Sequence, residues 1–277
     1  MFNLLKSDIL KLKWSKSWFI SLLSVIVLFV IYMLAGDASF VYSGSHDLNG
    51  VDLLGQGIGF VSNMYKDVDN PLAGEIIRTA LSYTAFIWLV ILIFSSSFFT
   101  KEYSENTIKL AVAYGENRFK LFLSKFIIIS LYSFILYYLF TFFIFTHASV
   151  TMKFTPNISD VFMLFKLTTL NFLVMEIFIL IILIISMIIK NIGAVNGIMC
   201  FYIITCPLVY MTIWFNMDAQ SLLMKAYIKT NPMYYWSTIC AYNLNNNIIN
   251  ETIIYFIIAI IVGAFISYSL LKNQEIK

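Results

Sequence analysis

The chain has 277 residues, of which 60% are hydrophobic and 12% charged, with a net charge of +3 and a mean hydropathy of +0.85. A soluble domain carries about 25% charged residues, so a core of this size cannot absorb the apolar excess and the bilayer is the solvent for much of it. Lipid leaves no water for unpaired backbone groups, which makes the fold class an all-α polytopic membrane protein, and the small net charge gives no ground for a nucleic-acid partner.

In chain order, the first element is MFNLLKSDILKLKWSKS. Phe2, Leu5, Ile9 and Leu12 fall on one helical face, Lys6 and Lys13 flank it, and Lys11 lies opposite. This predicts an interfacial helix over 1–17 along the inner leaflet, with Trp14 and Trp18 at the level of interfacial aromatics. The alternative is a disordered basic tail that only sets topology. A helix needs about 20 apolar residues to span. Six stretches meet or approach that: about 18–35, 79–100, 121–145, 167–189, 192–215 and 252–271. The first reads as a retained span, because its apolar part outruns a signal peptide's and the region before it is long. Only Lys125, near the start of the third span, and Glu176, inside the fourth, carry formal charge within these stretches.

The segment 36–77 reads as a solvated, partly ordered outer loop, with acids that do not fit EF-hand spacing. The segment 216–251 is aromatic and interrupted, and it breaks at Asn231–Pro232. It reads as an outer re-entrant hairpin of two short helices between spans five and six, tolerated where protein buries it. Of the 18 Lys and Arg, six (Lys66, Arg78, Lys153, Lys166, Lys225, Lys229) then fall outside and the other twelve inside. That bias puts both termini in the cytoplasm of a multi-pass protein of the cell membrane.

Glu176 admits two accounts. A mid-span acid lines a substrate path, or it is a neutral carboxylic acid hydrogen-bonded to a neighbouring helix. Gly197 and Pro207 in the fifth span mark either a gate or an ordinary packing kink. The sequence holds no GxxxxGK[ST], HExxH or GxSxG, so the expectation is no enzyme, no catalytic residue, no cofactor and no metal. Cys200, Cys206 and Cys240 have no ligand spacing and read as small apolar fillers.

The inner segment 101–120, KEYSENTIKLAVAYGENRFK, separates spans two and three. In helical register Tyr103, Thr107, Leu110 and Tyr114 share a stripe, then Tyr114-Gly115 punctuates and Phe119 starts a new period. Mixed charge around an apolar stripe fits docking into a protein groove better than lying on anionic lipid. An ordinary solvated connector is the plainer alternative.

The run Glu102-Tyr103-Ser104, Thr107-Ile108, Leu110, Arg118 and Lys125 resembles the segment between spans two and three of ABC-2 type permeases, the membrane subunits of ATP-binding-cassette exporters. Asn106 stands where that family usually has Gly, and Gly115 where it usually has Pro. The six spans, the N-terminal helix and the hairpin extend the resemblance over 1–277 as one transmembrane domain. It implies a cytoplasmic coupling helix seated in a cleft of an ATPase subunit, with Glu102, Tyr103, Thr107, Leu110 and Arg118 at or near the contact. It implies two ATPase copies, a second permease copy or paralogue, and surrounding membrane lipid as partners. The implied cargo is an amphipathic peptide or lipid-like molecule, and the size resembles permeases of antibiotic resistance or lantibiotic immunity. Two rivals stand beside it: a membrane sensor or scaffold that docks a soluble regulator, and a proton-coupled secondary transporter using Glu176.

Overall fold

The structure, a computed structural model, describes residues 1–35, 69–104, 107–214, 221–240 and 246–273. All regular structure among them is helical. Helix α1 (Phe2–Trp14) leads through Ser15 into α2 (Lys16–Ala35). Helices α3 (Ala73–Ser82) and α4 (Thr84–Ser104) are separated by Tyr83 alone. Then come α5 (Thr107–Ala113), α6 (Arg118–Thr151), α7 (Ile158–Ile189) and α8 (Ile192–Trp214). Two short helices, α9 (Leu222–Thr230) and α10 (Pro232–Ile239), precede α11 (Asn246–Asn273).

Among the described residues, five helical stretches are long and apolar enough to cross a membrane: Lys16–Leu34, Ala73–Glu102, Arg118–Thr151, Ile158–Ile189 and Asn247–Lys272. The remaining expected span is α8, which has 23 residues, about 34 Å at 1.5 Å per residue. Its apolar helix among the described side chains is Ile192–Thr205.

The helices outrun the apolar stretches that announce them. Helix α6 has 34 residues, about 51 Å, against a hydrocarbon core of about 30 Å. Hydropathy marks only the part that needs lipid, whereas the backbone ladder continues until a cap stops it. Asn117 caps α6, its Oδ1 accepting the Phe119 amide at 2.8 Å and the Lys120 amide at 3.4 Å. At the start of α7 the Asp160 carboxylate accepts the Asn157 amide at 2.9 Å, one half of a capping box.

Helix α3 corrects the expected outer loop. The segment 36–77 lies outside the described residues up to 68, but Ala73–Ile77 is already helical, and α3 buries every residue from Glu75 to Ser82. Arg78, counted above among the outer cations, is therefore inside the bundle at 7% exposure. Glu75 and Arg78 lower the local hydropathy and hide a helix that packs on α6 and α7. The Glu75 carboxylate is engaged locally, accepting the Leu72 amide at 2.9 Å.

Helix α7 is the centre of the bundle, packing against α3, α4, α6, α8, α10 and α11. Asn171 on it accepts the Tyr137 hydroxyl at 2.5 Å and donates to the Cys240 sulfur at 3.2 Å. Phe178, seven residues on, meets Trp88 of α4 with ring centroids 4.7 Å apart. Trp236 of α10 lies 5.4 Å from Trp88 and donates its indole N–H to the Thr84 hydroxyl at 3.1 Å. The α9–α10 pair is thus plugged into the bundle by α10, which buries all of its residues except half-buried Tyr234. Its break falls at Asn231–Pro232, where the Asn231 side chain caps α10 by accepting the Met233 amide and Pro fits the first helical position. Cys240 fills core space as expected, with 0% exposure.

Helix α8 is not interrupted at Gly197 or Pro207. Gly197 is exposed, and a side chain added there meets nothing within 4 Å. The close glycine contact lies elsewhere. On α11, Gly263, Ser267 and Leu271 are buried at four-residue spacing. A Cβ on Gly263 falls 2.1 Å from Leu180 Cδ2 and 2.9 Å from Leu180 Cγ of α7, so only glycine lets these helices meet so closely.

Candidate coupling site

The segment 101–120 holds the end of α4, the whole of α5, and the start of α6. Its predicted stripe does not lie on one helix. Tyr103 belongs to the last turn of α4, Thr107 and Leu110 to α5, and Tyr114 to the turn beyond, where it is 87% exposed. The helix is shorter than the periodicity indicates because it begins only at Thr107, Tyr103 belonging to α4, while a left-handed residue stops its other end where Tyr114-Gly115 predicts.

Gly115 has φ +88°. Its amide donates to the Val112 carbonyl at 2.9 Å, and the Glu116 amide donates to the Ala111 carbonyl at 3.1 Å. These two bonds are the paired closure of a Schellman motif, which places glycine just past the helix. Glycine rather than proline at this position is thus accounted for by the turn itself. Gly115→Ala is expected to cost about 1–2 kcal/mol locally. Gly115→Pro is expected to do worse, since it also removes the bond to Val112. Hydrogen exchange reads this directly: the α5 amides exchange faster in Ala and fastest in Pro. Equal protection in all three proteins would contradict the role of the turn.

Beneath α5 lies a buried charge cluster. Lys125 on α6, 2% exposed, reaches the Glu102 carboxylate on α4 at 2.6 Å and the Asp8 carboxylate on α1 at 2.9 Å. The second oxygen of Asp8 accepts the Ser124 hydroxyl at 2.7 Å. The second oxygen of Glu102 accepts Lys11 at 3.0 Å, and the Phe98 ring faces Lys125 with its centroid 5.8 Å away. Two carboxylates and two ammonium groups balance, and each carboxylate oxygen has a partner, which burial of charge demands. The Glu102 carbonyl also accepts the Thr107 hydroxyl at 3.2 Å. One residue therefore ties the start of α5 to α1, α4 and α6.

Arg118 points the other way. Its Nη1 donates to the Leu271 carbonyl at 3.0 Å, holding the last turn of α11 against the start of α6. Glu176 is apart from all of these, at 6% exposure. Its Oε2 accepts the Ser130 hydroxyl at 2.6 Å, and its Oε1 has no hydrogen-bond partner among the described residues. Glu102, Thr107 and Arg118 are brought to one end of the bundle, with the backbone of Tyr103 and Leu110 beside them. Glu176, Gly197 and Pro207 are not part of that group.

A family model described as ABC-2 family transporter protein matches residues 4–206. The chain belongs to that family. The match begins within α1, takes in α5 and the whole charge cluster, and ends within α8. A comparison with curated proteins gives no significant match. Family membership makes the chain a multi-pass membrane permease of an ABC transporter, the transport subunit rather than the catalytic one, and implies partnership with an ATP-binding subunit.

Asp8 escaped the sequence reading, although a signal was present. It stands three residues after Leu5 and four before Leu12, an acid on the apolar stripe of α1. In the permease Leu5 and Leu12 are half-buried beside it, while Phe2 and Ile9 of the same expected face are exposed.

Proposed function

We propose that this permease carries an amphipathic cargo, a peptide or lipid-like molecule, across or out of the membrane. Power comes from two copies of a separate ATPase docked on the segment 101–120. The single observation that carries the docking role is the anchoring of α5. A plain connector has no need of a Schellman stop and a four-charge cluster under its first residue. With that base held by α1, α4 and α6, a push on α5 reaches three helices as one body.

The proposed topology has six spans, both termini and α5 in the cytoplasm, and the α9–α10 hairpin in the outer interface. The permease acts as a pair, with a second copy or a paralogue. An apolar path suits an amphipathic cargo, since Glu176 is the formal charge nearest the middle of a described span, with Glu75, Arg78 and Lys125 nearer the ends of theirs, and it makes one hydrogen bond there.

The test is ATP turnover by the permease and its ATPase together in liposomes. An amphipathic peptide that is cargo raises turnover, and the rise depends on the permease. Turnover indifferent to every amphipathic peptide and lipid offered would favour the scaffold instead.

A further inference from the structure

The C-terminal end of α11 meets the turn that closes α5. Between them lies a cleft of about 280 Å³. Val112 comes from α5, Phe119 from the start of α6, and Tyr268 and Leu271 from α11; together they give the cleft apolar walls. Arg118 and Lys272 supply two cations to its lining, and Glu116 one carboxylate. The walls are held in place: Phe119 and Tyr268 pack edge to face with centroids 5.8 Å apart, and Arg118 is bound to the Leu271 carbonyl. Asn117 already fills the amides at the start of α6, so the helix end is not an open anion site. The charge of the cleft resides in side chains.

We propose that the docking surface for the ATP-binding subunit is composite. It runs from α5 across this cleft to the end of α11, and the cleft receives an apolar side chain of that subunit flanked by an acidic one. The proposal rests on the docking role of α5. Val112 lines the cleft and belongs to α5, so a partner gripping α5 lies against the cleft without a gap. Tyr114, 87% exposed, projects from the same turn, where an exposed aromatic suits a protein contact. The exposed ammonium of Lys272 in its lining selects an acidic neighbour for the apolar anchor. The consequence is mechanical. A subunit that holds α5 and α11 together moves the coupling turn and the last span in one stroke.

Photo-cross-linking of the assembled complex tests this. p-Benzoylphenylalanine is placed at position 272 in one protein and at position 109, on α5, in another. Products are identified by mass spectrometry as peptides of a P-loop ATP-binding chain. Both positions are expected to link to that chain. Lys272→Glu is expected to weaken its retention roughly tenfold, because reversal turns one attraction into repulsion, and Lys272→Arg to leave it unchanged. If position 109 links and position 272 captures only lipid, the composite surface is wrong and docking on α5 stands. If neither links, docking on α5 falls with it.

Discussion

Lys125→Met is expected to lower the stability of the permease by about 3–5 kcal/mol, the range for breaking a buried ion pair from one side. The methionine matches the lysine stem in length, so little packing is lost. What is lost is the countercharge. Asp8 and Glu102 are 4% and 8% exposed, and the remaining cation, Lys11, is 3.9 Å from Asp8 and 3.0 Å from Glu102 with its side chain 47% exposed. One partly solvated ammonium then faces two buried carboxylates. Replacing the whole buried set, Lys125→Met with Asp8→Asn and Glu102→Gln, is expected to recover much of the loss, because no uncompensated charge remains inside. Thermal unfolding in detergent checks both proteins. A single variant that melts with the wild type, or a triple variant no better than the single, would count against the cluster as a structural tie.

Gly263→Leu is expected to detach α11 from α7. A Cβ alone already overlaps Leu180, at 2.1 Å from Cδ2 and 2.9 Å from Cγ, and three further carbons follow it. Overpacking of a tight contact costs about 1–3 kcal/mol, and α11 is otherwise held near its two ends, by Tyr255 stacked on Tyr235 and by Arg118 on the Leu271 carbonyl. Only 11% of the apolar window of α11 is buried, against 67% for α7. Gly263→Ala is expected to be milder and to be relieved by Leu180→Ala, which removes the atoms it strikes. The loss reaches the start of α6, since Arg118 grips the carbonyl of Leu271 on the same helix. Unfolding curves of Gly263→Ala, Leu180→Ala and the double variant give the coupling energy. Additive effects would mean that the two residues do not meet.

Much of this architecture was legible in the sequence because lipid imposes simple demands. Charge-free runs such as 252–271 had to be helical spans, and Asn231–Pro232 had to break the aromatic segment, because proline cannot continue the preceding helix. Other features depend on which face a residue turns to, and a single sequence does not show that. Gly193 and Gly197 have the spacing of a close helix contact, yet α8 packs through Val195 and Met199 on another face. Ala259, Gly263 and Ser267 repeat small residues every four positions, a signal of equal strength that proved to be the real contact. The charge cluster was hidden differently. Asp8, Glu102 and Lys125 are far apart in the chain, and each alone reads as an ordinary interfacial charge. Their meeting depends on how α1 docks. Helix α3 was concealed by Glu75 and Arg78, whose charges made a buried helix look like a loop.

In the proposed function, ATP hydrolysis on another subunit is transmitted through α5. The most direct test is Leu110→Glu on α5, with cargo-stimulated ATP turnover and cargo movement measured in the same liposomes. The permease is expected to fold and insert as the wild type does, with stimulation and movement both lost and the basal turnover of the ATPase retained. Stimulation and transport at wild-type levels in Leu110→Glu would contradict transmission through α5.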